Sequence, residues 1–196
     1  MSYTLLQNND FLIDEKVGMF KFENQYKIFN DEGHQLGRVQ QRMTLGQKFL
    51  RMIISPAALP FKIEIYDEKD AMILKVSRGW TFWMSKITIE DAQGMVLGYI
   101  KQKFKLFTPK FEVLDSQNML LAELKGDWKA WDFQLKNSQG QTLATINKKW
   151  NGAMKEIFTT ADKYKVSIDG TLVNDTLKKI VLSSAITIDM VLKERK

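Results

Sequence analysis

Residues 87–100 read ITIEDAQGMVLGYI: an alternating run, an acidic turn and a second run. Ile87 and Ile89 fall on one side of the first run and Lys86, Thr88 and Glu90 on the other. That two-residue period suits a half-buried antiparallel strand. The turn from Asp91 to Gly94 has an Asx side chain that can hold backbone N–H groups and a glycine that can supply the positive φ closing a hairpin. Four other segments repeat the unit: KIFNDEGHQLGRV at 27–39, IEIYDEKDAMILKV at 63–76, FEVLDSQNMLLAEL at 111–124 and FQLKNSQGQTLATI at 133–146. Asp31, Asp67, Asp91, Asp115 and Asn137 are read as equivalent, the last four spaced by 24, 24 and 22 residues, one hairpin plus the link to the next.

Both arms of each unit, together with runs near 11–22, 154–159 and 163–169, predict about a dozen strands. Closing so long a meander into a barrel removes its exposed edges. Two segments break the alternation. From Thr44 to Ile54, Leu45, Phe49, Met52 and Ile53 form a helical stripe with Lys48 and Arg51 toward the other side, and Pro56 ends it. This is an amphipathic crossover helix, expected to pack its stripe on the barrel, with insertion at a membrane interface as the alternative.

The second is the run from Asn174 to Leu192. Asn174 or Asp175 can cap a helix of about 175–192, with Leu177, Val181, Ala185, Ile188 and Leu192 on one stripe. Ile180, Ile186, Met190 and Val191 make the rest of its surface apolar too, so it is expected inside protein. From Ile180 to Leu192 it spans only about 20 Å, short for lipid. Its β-branched content leaves a terminal strand pair as the rival reading.

The chain of 196 residues is expected to form one domain over 1–196, mainly β. It has no cysteine, which excludes disulfides and thiolate chemistry and fits a cytoplasmic setting, peripheral at a membrane if lipid is engaged. The N-terminus does not read as a secretory signal, and no run reaches the length of a membrane span. The net charge of +6 is uneven. Between Gly33 and Ile63 lie Arg38, Arg42, Lys48, Arg51 and Lys62 with no acid, and from Gln93 to Phe111 lie Lys101, Lys103, Lys105 and Lys110, again with none. Such fields favour anionic partners, although cations also simply solvate exposed faces.

Order and spacing carry a family resemblance. Gly18-Met19-Phe20 leads into Tyr26 to Phe29; the GxxLG unit follows at Gly33 to Gly37, then Phe104 to Glu112, Lys163 to Val166 and the apolar run Ile180 to Val191. In this the chain resembles the LURP-one-related and phospholipid scramblase-like proteins, a superfamily that includes the C-terminal domain of Tubby proteins. The resemblance implies a closed antiparallel barrel of about twelve strands around a hydrophobic C-terminal helix. Tubby domains bind phosphoinositides through basic residues, but no motif here permits transfer residue by residue. Scramblases are associated with calcium and a cysteine-rich palmitoylation segment, and this chain has neither cysteine nor a proline-rich extension.

The lipid- or anion-binding candidates are Lys101, Lys103 and Lys105 on one strand face, with Lys48 and Arg51 on the crossover. The five tryptophans near basic residues can stack bases, but no nucleic-acid motif accompanies them, and large rings more often fill barrel ends. His34, the single histidine, lies in a turn with no Ser or Cys arrangement around it, so no catalytic residue is assigned. The repeated aspartates are what hairpins need rather than a calcium loop, so no metal or cofactor is expected. The chain is read as a non-enzymatic binding or scaffold protein engaging anionic phospholipid or a protein partner through its outer basic surface; the alternative is a membrane-associated, scramblase-like lipid transport protein. No specific nucleic acid is expected, and the sequence leaves the oligomeric state open.

Overall fold

The computed structural model describes residues 4–15, 25–50, 52–81, 85–103, 110–127, 131–148, 163–171 and 174–193. Helix α1 (Thr4–Gln7) leads into strands β1 (Asp10–Glu15), β2 (Gln25–Phe29) and β3 (Gln35–Arg42). Helix α2 (Leu45–Leu50) and a 3-10 turn (Pro56–Ala58) connect to β4 (Phe61–Asp67), β5 (Met72–Arg78), β6 (Lys86–Asp91) and β7 (Val96–Lys103). Then follow β8 (Lys110–Asp115), β9 (Leu120–Asp127), β10 (Asp132–Lys136), β11 (Thr142–Asn147), β12 (Lys163–Ile168) and α3 (Asp175–Lys193). Each strand pairs antiparallel with its sequence neighbour, and β1 pairs with β12, Asp10 opposite Ser167, to close the barrel. The run predicted at 154–159 lies outside the described residues.

The five hairpins share one turn. Asp67 Oδ1 accepts the N–H groups of Lys69 and Ala71, and Asp91, Asp115 and Asn137 repeat this two and four residues on. In the first hairpin the holder is Asn30, which takes the N–H groups of Glu32 and His34. The expected Asp31 is therefore one residue out of place: both neighbours are Asx, and only Asn30 keeps the three-residue distance to the residue at positive φ. That residue is Gly33, Asp70, Gly94, Asn118 or Gly140, at φ between 60 and 85°. A register shift follows in every hairpin, so that one residue of the returning strand is extra. Leu36, Ile73, Leu97, Leu121 and Leu143 occupy that bulge, all buried or partly buried against the core.

These turns lie together at one end of the barrel, the turn end. The longer connections, β3 to β4 and β5 to β6 among them, lie at the other, the link end. Inward positions are apolar: Ile13, Ile28, Val39, Ile65, Val76, Ile89, Ile100, Val113, Ile146 and Val166 are all buried. α3 fills the space they enclose, packing on β5, β7 and β12. Asn174 caps it, its Oδ1 accepting the Leu177 N–H at 2.8 Å. The strand-pair rival for this segment is thus not adopted. Val181, Ala185, Ile188 and Leu192 are buried, as are Ile180, Ile186, Met190 and Val191 on the other faces, and Leu177 is half-buried. Ser184 and Thr187 donate to carbonyls one turn back, which satisfies hydroxyls that no water reaches.

Close approach shapes the sequence around α3. A Cβ on Gly98 of β7 would stand 2.4 Å from the Leu114 carbonyl oxygen and 3.2 Å from Ile180 Cδ1, so only glycine fits beside the helix. At the turn end, α1 covers the mouth with Leu5 and Leu6. Lys178 ties it to α3 by donating to the Leu6 and Asn8 carbonyls at 2.7 and 3.2 Å.

At the link end the lining turns polar: Gln41, Arg78 and Gln102 end β3, β5 and β7 as buried side chains. Arg78 donates to the Leu59 carbonyl at 2.7 Å and lies over the Phe61 ring. Asp189 of α3, 0% exposed, lies near Tyr26 and Tyr164. Burial, then the charges of Asp189 and Glu15, push both tyrosine hydroxyls well above their usual range.

Candidate functional site

The basic strand face depends on register. Lys101 and Lys103 of β7 point outward and Gln102 inward, as the alternation requires; Lys105 lies outside the described residues. Pairing of β7 with β8 puts Glu112 opposite Lys101, and Glu112 forms an ion pair with Lys103. On the neighbouring strand Lys110 meets Glu123 at 2.7 Å, and on β5 Lys75 meets Glu90. The outer wall of the barrel is thus laced by cross-strand pairs, which compensate much of the positive field in the sequence.

The β3–β4 crossover begins and ends at a charge cluster of its own. Arg42 and Lys62 stand opposite each other in register, two cations that share one carboxylate. Arg42 Nε and Lys62 Nζ each lie 2.9 Å from Glu64, and Tyr66 donates to Glu64 at 2.6 Å. Burial raises the Glu64 pKa, but the bonds from Tyr66, Arg42 and Lys62 outweigh it and hold the carboxyl at about 2. The next cations along the chain are Lys48, on α2, and Arg51, which lies outside the described residues.

α2 is shorter than the predicted 44–54. Thr44 and Gln47 cap it reciprocally, the Gln47 N–H on Thr44 Oγ1 at 3.2 Å and the Thr44 N–H on Gln47 Oε1 at 2.9 Å. Beyond Leu50 the chain continues in turns, with Met52 and Ile53 N–H groups on the Phe49 and Leu50 carbonyls. The expectation that its stripe packs on the barrel is overturned. Leu45, Phe49, Met52 and Ile53 are 84, 62, 72 and 69% exposed. The reason is geometric: β3 and β4 are already adjacent, so the long connection between them loops out past the barrel end, and α3 has filled the interior it could have entered.

Sequence reading missed a neighbour of this ledge. Thr81 N–H bonds to the Ala58 carbonyl at 3.2 Å, which draws the β5–β6 link alongside the crossover and leaves Trp80 53% exposed there. Among the other described rings, Trp131 fills the barrel end against Phe133 and Tyr164. His34 sits in its exposed turn, 3.4 Å from Glu32. Between β2 and β3 a hollow of about 130 Å³, lined by Gln25, Lys27, Arg38 and Gln40, is well below the roughly 300 Å³ of small-molecule pockets.

A closed barrel threaded by its own C-terminal helix, with charged outer walls and an apolar ledge, defines the class of protein. The Scramblase family model matches residues 4–195, and the chain belongs to that family. It is 21% identical over 187 residues to a phospholipid scramblase family protein of Schizosaccharomyces pombe, covering 85% of this chain and 48% of the relative. The chain thus spans about half the length of the curated relative it matches. A protein of Arabidopsis thaliana solved by X-ray shares the fold, with a TM-score of 0.54 at 12% identity over 92% of this chain and 90% of that one. Family membership supports a lipid-related function. Among the described residues, no helix is long and apolar enough to cross a membrane.

Proposed function

We propose that this chain is a non-enzymatic phospholipid-binding barrel that engages anionic membrane surfaces through the basic crossover side of its outer wall. The observation that carries the reading is the meeting of Arg42 and Lys62 at the carboxylate of Glu64, in a stretch of sequence from Gly33 to Ile63 that also holds Lys48 and Arg51 and no acid. Cations held at one place on a surface draw it to anionic headgroups, at roughly 1 kcal/mol for each Lys or Arg near the bilayer. The wall itself supports contact over insertion, because paired Lys and Glu side chains face outward where a membrane-spanning barrel needs an apolar band.

Vesicle sedimentation tests the reading. The chain should pellet with vesicles of phosphatidylcholine and phosphatidylserine at low salt, stay in solution with phosphatidylcholine alone, and lose binding when salt is raised. Lys48→Glu with Arg51→Glu should weaken pelleting more than Lys101→Glu, Lys103→Glu and Lys105→Glu together. Equal binding to neutral vesicles, or no binding at low salt, would sink it. The transport alternative is less well supported, since α3 leaves no lumen along the barrel axis. Accelerated flip of labelled lipid in reconstituted vesicles would restore it.

A further inference from the structure

The geometry points to an end-on docking mode: we infer that the link end enters the bilayer, with Leu45, Phe49, Met52 and Ile53 of the crossover and Trp80 of the adjacent link as the inserted side chains. This rests on the lipid-surface reading above and adds what it lacks, an orientation and a hydrophobic anchor.

Four large apolar side chains in nine residues are more than half exposed, and a fifth, Trp80, is exposed on a separate connection that the Thr81 bond to Ala58 ties to the same crossover. Singly exposed apolar residues are ordinary on a protein surface, whereas several gathered on one projection mark a contact site. The ledge lies in the connection that follows the last paired residues of β3 and β4, beyond the hydrogen-bonded wall of the barrel. A capped single-turn helix presents its apolar side without unfolding, and the capping bonds of Thr44 and Gln47 hold that presentation.

Charge complementarity selects the occupant. Arg42 and Lys62 stand opposite each other at the last pairing of β3 and β4, where the crossover leaves the barrel, with Glu64 between them, and Lys48 lies on α2 within the crossover. Apolar groups at the tip with cations behind them match the layering of an anionic bilayer, acyl chains beneath phosphates. Tryptophan suits the boundary between the two layers, its ring apolar and its N–H polar. The turn end has apolar groups of its own in Met95 and Met119, 63 and 58% exposed, but they stand among the acidic Asx turns. That end is therefore assigned to face away from the membrane.

The absence of cysteine makes the test direct. Phe49→Cys, Trp80→Cys and Met119→Cys, each carrying an environment-sensitive fluorophore, are mixed with vesicles of phosphatidylcholine and phosphatidylserine while pelleting is followed on the same samples. The expected result is a blue shift at positions 49 and 80, quenched by lipids brominated on the acyl chain, and none at 119. Phe49→Ser with Ile53→Ser, both exposed and so neutral to folding, should weaken vesicle binding by about tenfold or more and leave its salt dependence in place. Pelleting with a silent probe at 49, or with the shift at 119, overturns the docking mode while the lipid-surface reading stands. Absence of pelleting removes both. A shift at 49 that grows with protein concentration and needs no vesicles would show the ledge to be a self-association surface and also overturn the inference.

Discussion

Glu64 joins stability to the candidate surface. Its carboxyl, held at about 2 against an ordinary 4.5, is a depressed acid, so the stability it contributes is present above about pH 4.5 and is lost as pH falls toward 2. Glu64→Gln should lower the melting temperature at neutral pH, and its gap from the wild type should close across that window. A gap that stays constant down to pH 2 would contradict the assignment. The residue also shows a limit of sequence reading. Lys62, Glu64 and Tyr66 are legible as one strand face, but that Arg42 lies across from Lys62 depends on strand register, which the composition of neither strand reveals. The same holds for Lys103, whose apparent availability disappears once Glu112 is placed beside it.

Among the elements, the hairpins were the most legible, because side-chain period and turn chemistry agree in each of them. The single slip, Asp31 for Asn30, arose where two Asx residues are adjacent. The crossover was legible as an amphipathic segment, but periodicity names a face without saying what covers it, and here nothing in the barrel does. The close contact between β7 and α3 gives this scale its prediction. Gly98→Ala places a methyl against the Leu114 carbonyl and should cost about 1–3 kcal/mol by overpacking. Gly94→Ala, in the turn with open space around it, should cost about 1 kcal/mol through its φ of +84° alone. Urea unfolding of both would check the order, and an equal loss would show that the close approach at Gly98 adds nothing.

At the scale of the molecule, α3 is the core rather than a decoration upon it. Nine of its apolar side chains are buried, from Ile180 to Leu192. At about 1.5–3 kcal/mol for each larger one, their burial is at least comparable to the roughly 5–15 kcal/mol that separates most folded domains from their unfolded chains. A chain ending at Asn174 should accordingly lose cooperative unfolding and near-ultraviolet dichroism and bind a hydrophobic dye. A sharp melting transition in that truncation would refute the central role of the helix. The apolar character of the run at 180–192 made burial legible; the depth of Asp189 was not, since a polar residue in such a helix can face either a partner or water. The position of α3 in the chain sets an order in time. On the ribosome every strand emerges before the helix it must wrap, and β1, paired with β2 on one side, waits for its second partner more than 150 residues later, since Asp10 pairs with Ser167. Until α3 is made, the nascent sheet presents its lining to the cell, so the barrel can close on its core only after every strand has been synthesised.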